Sequence, residues 1–391
     1  MRNKEFPEIR FSGFKKEWEH RKIGELADIV RGASPRPIQD PKWFDVNSEV
    51  GWLRIADVTE QSGRIYYLKQ RISIAGQQKT RVLNTPHLLL SIAATVGKPV
   101  VNYVKTGVHD GFLIFQNPVV DREFMFQWLE MFRPKWGKYG QPGSQVNLNS
   151  ELVREQEIMV PNKEEQIKIG DFFKQIDKTI ALHQQELDTL KQTRKGFLQK
   201  MFPKDGEAAP VLRFPGFTGD WATYKISDVA KMFNNLRVPV TSSDRIKGPT
   251  PYYGANGIQD YVEGYTHDGE FVLVAEDGAS DLINYPVKYV RGKVWVNNHA
   301  HVLSGEKGII DNFFLLTRIN YMNIVPYLVG GSRTKLNGET LKRIPIQIPV
   351  FEEQLQIGNF FKQFDEVIVL HQQELEALKQ TKKAFLQKMF V

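Results

Sequence analysis

Apolar positions recur along this chain in two registers. In residues 164–202 they fall alternately four and three apart, at Ile169, Phe173, Ile176, Ile180, Leu187 and Leu190, with His183 on the same line. Residues 352–390 repeat the pattern at Ile357, Phe361, Phe364, Ile368, Leu375 and Leu378, with His371 in line. A mean spacing of about 3.5 residues is the seam of a coiled-coil helix. Asn162 is the predicted N-cap of the first helix, Glu165 its third helical position, and Pro203 its stop. Each helix would run on the order of 55 Å at 1.5 Å per residue. Elsewhere short β-like runs are broken by Gly, Pro and Asn. They are WLRIADV (52–58), RIYYL (64–68), HLLLSIA (87–93), PVVNYV (99–104) and GFLIF (111–115), followed by an amphipathic helix over about 122–132. FVLVAE (271–276), VKYVRGKVWV (287–296) and HAHVL (299–303) continue the pattern, which predicts compact, mostly β globules with a few helices.

The two helical stretches are copies. EEQIKIGDFFKQIDKTIALHQQELDTLKQTRKGFLQKMF starts at position 164 and EEQLQIGNFFKQFDEVIVLHQQELEALKQTKKAFLQKMF at 352, a constant offset of 188. The openings also recur: RFSGFKKEW (10–18) returns as RFPGFTGDW (213–221). Ahead of the helices, Gly143, Ser144, Leu148 and Asn149 return as Gly331, Ser332, Leu336 and Asn337. Between these matching ends the halves differ. The chain therefore divides into a globule (1–161), a helix (162–202), a second globule (203–349) and a second helix (350–391). The predicted class is α+β, an internal repeat of two mixed, mostly β domains joined by two long helices.

Charge predicts how the helices pair. Each starts acidic, with Glu164, Glu165, Asp171 and Asp177 in one and Glu352, Glu353, Asp365 and Glu366 in the other. Each ends basic, with Lys191, Arg194, Lys195 and Lys200 in one and Lys379, Lys382, Lys383 and Lys388 in the other. Antiparallel pairing sets each acidic start beside a basic end and opposes the helix dipoles. Two separate amphipathic helices, each packed on its own globule, are the alternative. In the paired arrangement His183 and His371 interrupt the seams near their midpoints, where a polar residue fixes register or responds to pH.

Composition narrows the class. No apolar run in the 391 residues is long enough to cross a bilayer, and the polar start MRNKEFPEIRF is no signal peptide. The absence of cysteine excludes disulfides, thiolate metal sites and a cysteine nucleophile, in keeping with a cytoplasmic chain. A net charge of +7, with the surplus mainly in the first half, permits a polyanionic partner.

Catalytic signatures are missing. There is no GxxxxGK[ST] loop, since Gly97-Lys98 is followed by Pro99, and no GxGxxG, HExxH or GxSxG. The amino-methyltransferase Asn/Asp-Pro-Pro-Tyr signature and a PD…(D/E)xK nuclease core are absent too. His299 and His301 alternate on a predicted strand, so they face one side as metal ligands, structural groups or DNA contacts. Loops mixing Gly, basic, amide and aromatic residues suit nucleic acid, because Arg and amides read base edges while Lys and Ser hold phosphates. The candidates are Arg31 and Arg36, Lys98, then Lys138, Tyr139, Gln141, Ser144, Gln145 and Asn147 in the first half. In the second half they are Arg237, Tyr252, Asn256, Lys293, His299, His301, Ser332, Arg333 and Lys335.

The ordered duplication of RFxGFxxxW, GS…LN, EEQ and HQQEL around two dissimilar globules resembles the specificity subunit of type I restriction–modification systems over essentially the whole chain. The resemblance implies two target recognition domains, each reading half of a bipartite, asymmetric site in double-stranded DNA. It also implies that the helices set the gap and dock two methyltransferase subunits. Those partners would bring S-adenosylmethionine and methylate adenine N6, and restriction/translocase subunits would bring ATP- and Mg²⁺-dependent cleavage. This chain would carry no cofactor, no catalytic site and no membrane contact. A coiled-coil adaptor without DNA readout, the recognition part of a modification-only complex, and a single-chain modification enzyme are the competing readings.

Overall fold

The computed structural model describes residues 6–139, 148–204, 206–331 and 334–391. The chain divides into two compact units, one comprising Met1–Gln184 with Glu374–Val391 and the other Gln185–Gln373. The first long helix, Lys163–Met201, starts in unit 1 and ends in unit 2, and the second, Phe351–Met389, does the reverse. Each unit thus contains the start of one long helix and the end of the other.

Within each unit these pieces run antiparallel, with indices rising on one helix as they fall on the other. In unit 1, Phe172 meets Phe385 with ring centroids 5.2 Å apart, and Lys382 Nζ lies 2.6 Å from Asp177. Unit 2 sets Phe197 5.1 Å from Phe360, and Arg194 grips Asp365 at 2.6 and 3.0 Å. All twelve predicted seam residues are buried or half-buried. Opposite charges pair across the helices as the acidic starts and basic ends require.

The duplicated motifs fasten each helix to its globule. Asn162 caps the first helix by accepting the Glu165 N–H at 3.0 Å. The Glu165 carboxylate is fully buried and takes a two-pronged grip from Arg10 at 2.6 and 2.7 Å. Arg213 grips buried Glu353 in the same way at 2.8 and 2.6 Å. A planar guanidinium matches a carboxylate on both oxygens, which suits it to hold a buried charge. Gln166 Oε1 accepts the Asp121 N–H at 2.7 Å while its amide donates to Pro161 O; Gln354 does the same for Asp311 at 3.1 Å and for Pro349 O. Asp121 and Asp311 are in turn N-caps of the helices Arg122–Phe132 and Asn312–Tyr321. Those caps press on the long helices at Gly170 and Gly358, where an added Cβ would stand 3.0 and 2.7 Å from the carboxylate oxygens. Trp18 and Trp221 pack edge-on or tilted against Phe124 and Phe314, closing each core.

Unit 1 carries a five-stranded sheet in the order Asp28–Arg31, Phe112–Gln116, Leu88–Ser91, Pro99–Asn102, Arg64–Ile65, and a smaller one of Gly51–Trp52, Thr106–Val108 and Arg81–Leu83. Two predicted strands are cut short. WLRIADV is a strand only to Trp52; Asp57 then accepts the Arg54 N–H at 2.9 Å and opens the helix Ile55–Glu60, burying Val58. RIYYL leaves its ladder after Ile65 because the Tyr66 and Tyr67 N–H groups turn to Gln61 Oε1.

Unit 2 builds one six-stranded sheet: Ala230–Met232, Ala300–Gly305, His267–Ala275, Val287–Val296, Lys247–Gly254 and Gly257–Val262. Its last strand before the long helix, Pro345–Ile348, pairs with Ala222–Lys225, as Glu157–Val160 pairs with Glu19–Lys22 in unit 1. No helix among the described residues is long and apolar enough to cross a membrane.

Candidate nucleic-acid interface

In unit 1 the strand Asp28–Arg31 runs into a loop that wraps the turn at residues 109–110. Gly32 is required there, because a Cβ would fall 2.1 Å from the His109 carbonyl oxygen. The close approach brings Arg31 Nε to Asp110 O at 2.6 Å, and places Ser34 Oγ and Arg36 Nη2 on the Asp110 carboxylate at 2.7 and 2.6 Å. Arg81 joins by donating to Arg31 O at 2.7 Å. Partial burial opposes ionisation of Asp110, but Ser34 and the two arginines leave its carboxyl below the usual aspartate range. Arg36 remains 70% exposed, so its other donors face solvent. A neighbouring cleft is lined by Arg54, Trp52, Ile55 and His109, and burial pushes the His109 imidazole below its ordinary value despite Asp110.

The remaining described candidates of unit 1 are less free. Lys98 is half-buried on the Glu130 carboxylate, a structural pair rather than an open cation. Lys138 and Tyr139 share Gln156 Oε1 at 3.1 and 3.0 Å, and Lys138 is exposed. Gln141, Ser144, Gln145 and Asn147 lie outside the described residues, as do Ser332 and Arg333.

Unit 2 gathers five candidates around residues 276–280. Glu276 receives Arg237 at 2.6 Å and Lys335 at 2.9 Å, and His301 Nδ1 lies 3.5 Å from it without donating. Burial raises the Glu276 carboxyl, and Arg237 with Lys335 overcomes this to hold it below the ordinary glutamate value. His299 Nδ1 meets Asp277, and Asn256 braces the loop by donating to Gly278 O and accepting the Ser280 N–H. Lys335 and His299 keep partial exposure, while Asn256 is exposed.

Two candidates are corrected. Tyr252 is 1% exposed, with its hydroxyl held between Val240 N and O and Arg245 over its ring, so it is core. His301 is also 1% exposed; Nε2–H donates to Leu336 O at 2.7 Å and Nδ1 accepts from Asn234 at 2.8 Å. Both ring nitrogens are engaged inside the protein, and burial lowers the imidazole pKa, so it is a neutral structural histidine. His299 does not share its strand either, since the strand starts at Ala300. Lys293 stands apart from the Glu276 cluster, exposed on its strand with Nζ 4.7 Å from the Tyr265 ring.

Arg54 and Arg81 carried no sequence signal because each stands singly, Arg54 just after a short strand and Arg81 at the start of one. Their convergence depends on sheet pairing, and no local spacing signals it.

A duplicated fastening frame around two divergent globules defines a repeated α+β fold carried on two long helices. The chain belongs to the type I restriction modification DNA specificity domain family, whose model matches residues 15–192 and 218–380. It is similar to a putative type I restriction enzyme specificity subunit of Haemophilus influenzae, 51% identical over 132 residues, 34% of each chain. The EcoprrI specificity subunit of Escherichia coli is 22% identical over 367 residues, 90% of this chain and 88% of that protein. Among solved structures, the type I S subunit of M. genitalium has the same fold, with a TM-score of 0.71 at 15% identity, covering 99% of both chains.

Proposed function

We propose that this chain is the non-catalytic subunit that selects the DNA sites of a cytoplasmic type I restriction–modification complex. Family membership carries the class, and one observation carries the working model: the same Arg–Glu, Gln–Asp and Gly fastenings hold two globules with different sheets. A fixed frame with exchangeable contents suits two independent readers, one for each half of a bipartite site. In unit 1 the reading surface is Arg31, Arg36, Arg54 and Arg81 around the 109–110 turn; in unit 2 it is the loop at 276–280 with Asn256, His299 and Lys335. Arginine and amide donors there would address base edges, and lysines the phosphates.

In this reading the long helices set the gap between half-sites and bind two methyltransferase subunits. S-adenosylmethionine, ATP and Mg²⁺ belong to those and the restriction/translocase partners. The complex reconstituted with its partners should bind duplex DNA with log affinity falling steeply as log salt rises, and sequencing of methylated adenines should return a two-part motif. Binding that is indifferent to salt, or methylation at a contiguous motif, would contradict the proposal.

A further inference from the structure

Unit 2 contains an open groove of about 820 Å³ between the long-helix pair and the sheet edge at residues 283–289. Its floor is apolar: Leu198, Leu316 and Ile368 line it beside Tyr285. Its rim is cationic, with exposed Lys191, Lys195 and Lys288, none of which forms an ion pair among the described residues. Ile283 stands 88% exposed at its edge. The groove contains one carboxylate, Asp365, and Arg194 already neutralises it.

The matching place in unit 1 is filled from within. Asp177, the repeat partner of Asp365, receives Arg64 at 2.8 Å and Gln127 at 2.8 Å as well as Lys382. Arg64 lies over the Phe126 ring at 4.4 Å. Unit 2 has Leu316 and Thr317 on the corresponding helix, and among the described residues no strand cation pairs with Asp365, whose partner is Arg194 of the other long helix.

We propose that this groove is a docking site for an acidic segment of a protein partner, one that carries a large apolar side chain between its carboxylates. Three unpaired lysines around an apolar floor complement carboxylates flanking an anchor. A DNA backbone would satisfy the lysines and leave the floor empty, because phosphates and sugars offer no large aliphatic group. The inference rests on the reading that the chain works within an assembly, but its test does not depend on DNA recognition.

The test uses the full chain and a fluorescein-labelled peptide of glutamates interspersed with leucine and phenylalanine, read by fluorescence polarisation. A peptide with glutamine for glutamate is the control, and a duplex oligonucleotide is titrated in parallel. Saturable binding of the acidic peptide is expected, with none of the control. The Lys191→Glu/Lys288→Glu variant should weaken it roughly tenfold or more, since attraction becomes repulsion at short range. Lys288→Gln should weaken it less, and duplex affinity should not change. No saturable binding, binding indifferent to the reversal, or a parallel loss of duplex affinity would each overturn the proposal. The last result would assign the groove to DNA. Both lysines are exposed, and a far-ultraviolet circular dichroism spectrum matching the parent establishes that the variants fold.

Discussion

Asp177 and Asp365 occupy the same position of the repeated helix, yet their surroundings differ in kind. Asp177 joins Arg64, Glu123, Gln127 and Lys382 in a network that seals the helix pair onto unit 1. Asp365 has Arg194 as its ion-pair partner and is 38% exposed at an open groove. The difference originates in the globules: a strand residue, Arg64, bonds Asp177 on one side, and among the described residues no strand cation bonds Asp365 on the other. Closely similar helices therefore carry unequal attachments, strong where the divergent globule contributes a buried cation. Duplication preserved the frame, and divergence inside the frame set how firmly each helix is held.

Removing Arg64 should have the largest effect. Arg64→Leu leaves Glu123 and Asp177 short of a buried counter-charge, and is expected to cost unit 1 about 3–5 kcal/mol. Asp365→Asn, at a half-exposed pair, should cost unit 2 within about 1 kcal/mol. Chemical denaturation followed by hydrogen-exchange mass spectrometry resolves the two units. Equal losses would mean that the two attachments are equally strong.

The glycine contacts come next. Gly358→Ala puts a Cβ 2.7 Å from Asp311 Oδ1, which already caps Phe314 N, whereas Gly170→Ala meets Asp121 Oδ1 at 3.0 Å. Overpacking at the cap outweighs the gain in helix propensity, so Gly358→Ala should lower stability by about 1–2 kcal/mol. Gly170→Ala should cost less. Thermal unfolding of each variant measures the order.

Acid should discriminate more gently. Burial raises the Asp177 carboxyl, but Lys382 and Arg64 overcome it and leave the pKa below the ordinary aspartate value. A depressed folded pKa gives stability that is complete above the unfolded value, about 3.9, and is lost as pH falls through the folded one. Unit 1 should therefore weaken below about pH 4–5, and Asp177→Asn should flatten that slope. Unfolding midpoints across this range provide the check; a slope unchanged by the substitution would rule out Asp177 as its source.

The smallest effect on stability belongs to Arg36→Ala. Its guanidinium is mostly exposed, so stability should move by less than about 0.5 kcal/mol. In the assembled complex the same change should weaken DNA binding and, if Arg36 holds a phosphate, lower the salt slope by about one.

How much of this was legible in the sequence depended on range. The seam from Ile169 to Leu190, its antiparallel pairing and the helix at residues 122–132 follow from local period and charge. Arg10 and Glu165 were visible as recurring letters, but their pairing spans 155 positions, and no local rule joins them. Arg64 read as an ordinary strand residue because its destination lies on another element. Loop composition singled out Arg31, Arg36, Asn256, His299 and Lys335, which the fold leaves wholly or partly exposed, and equally Tyr252 and His301, which it buries. Amide, imidazole and phenol groups that suit DNA equally suit internal hydrogen bonds, and only burial separates the two uses.

The central claim is that two independent readers sit in one repeated frame. Exchanging residues 30–145 for the counterpart from a relative, and sequencing methylated adenines in cells that carry the chimera and its partners, tests it most directly. The account predicts a motif in which one half changes while the other half and the gap stay as they were. A motif in which both halves change would contradict it.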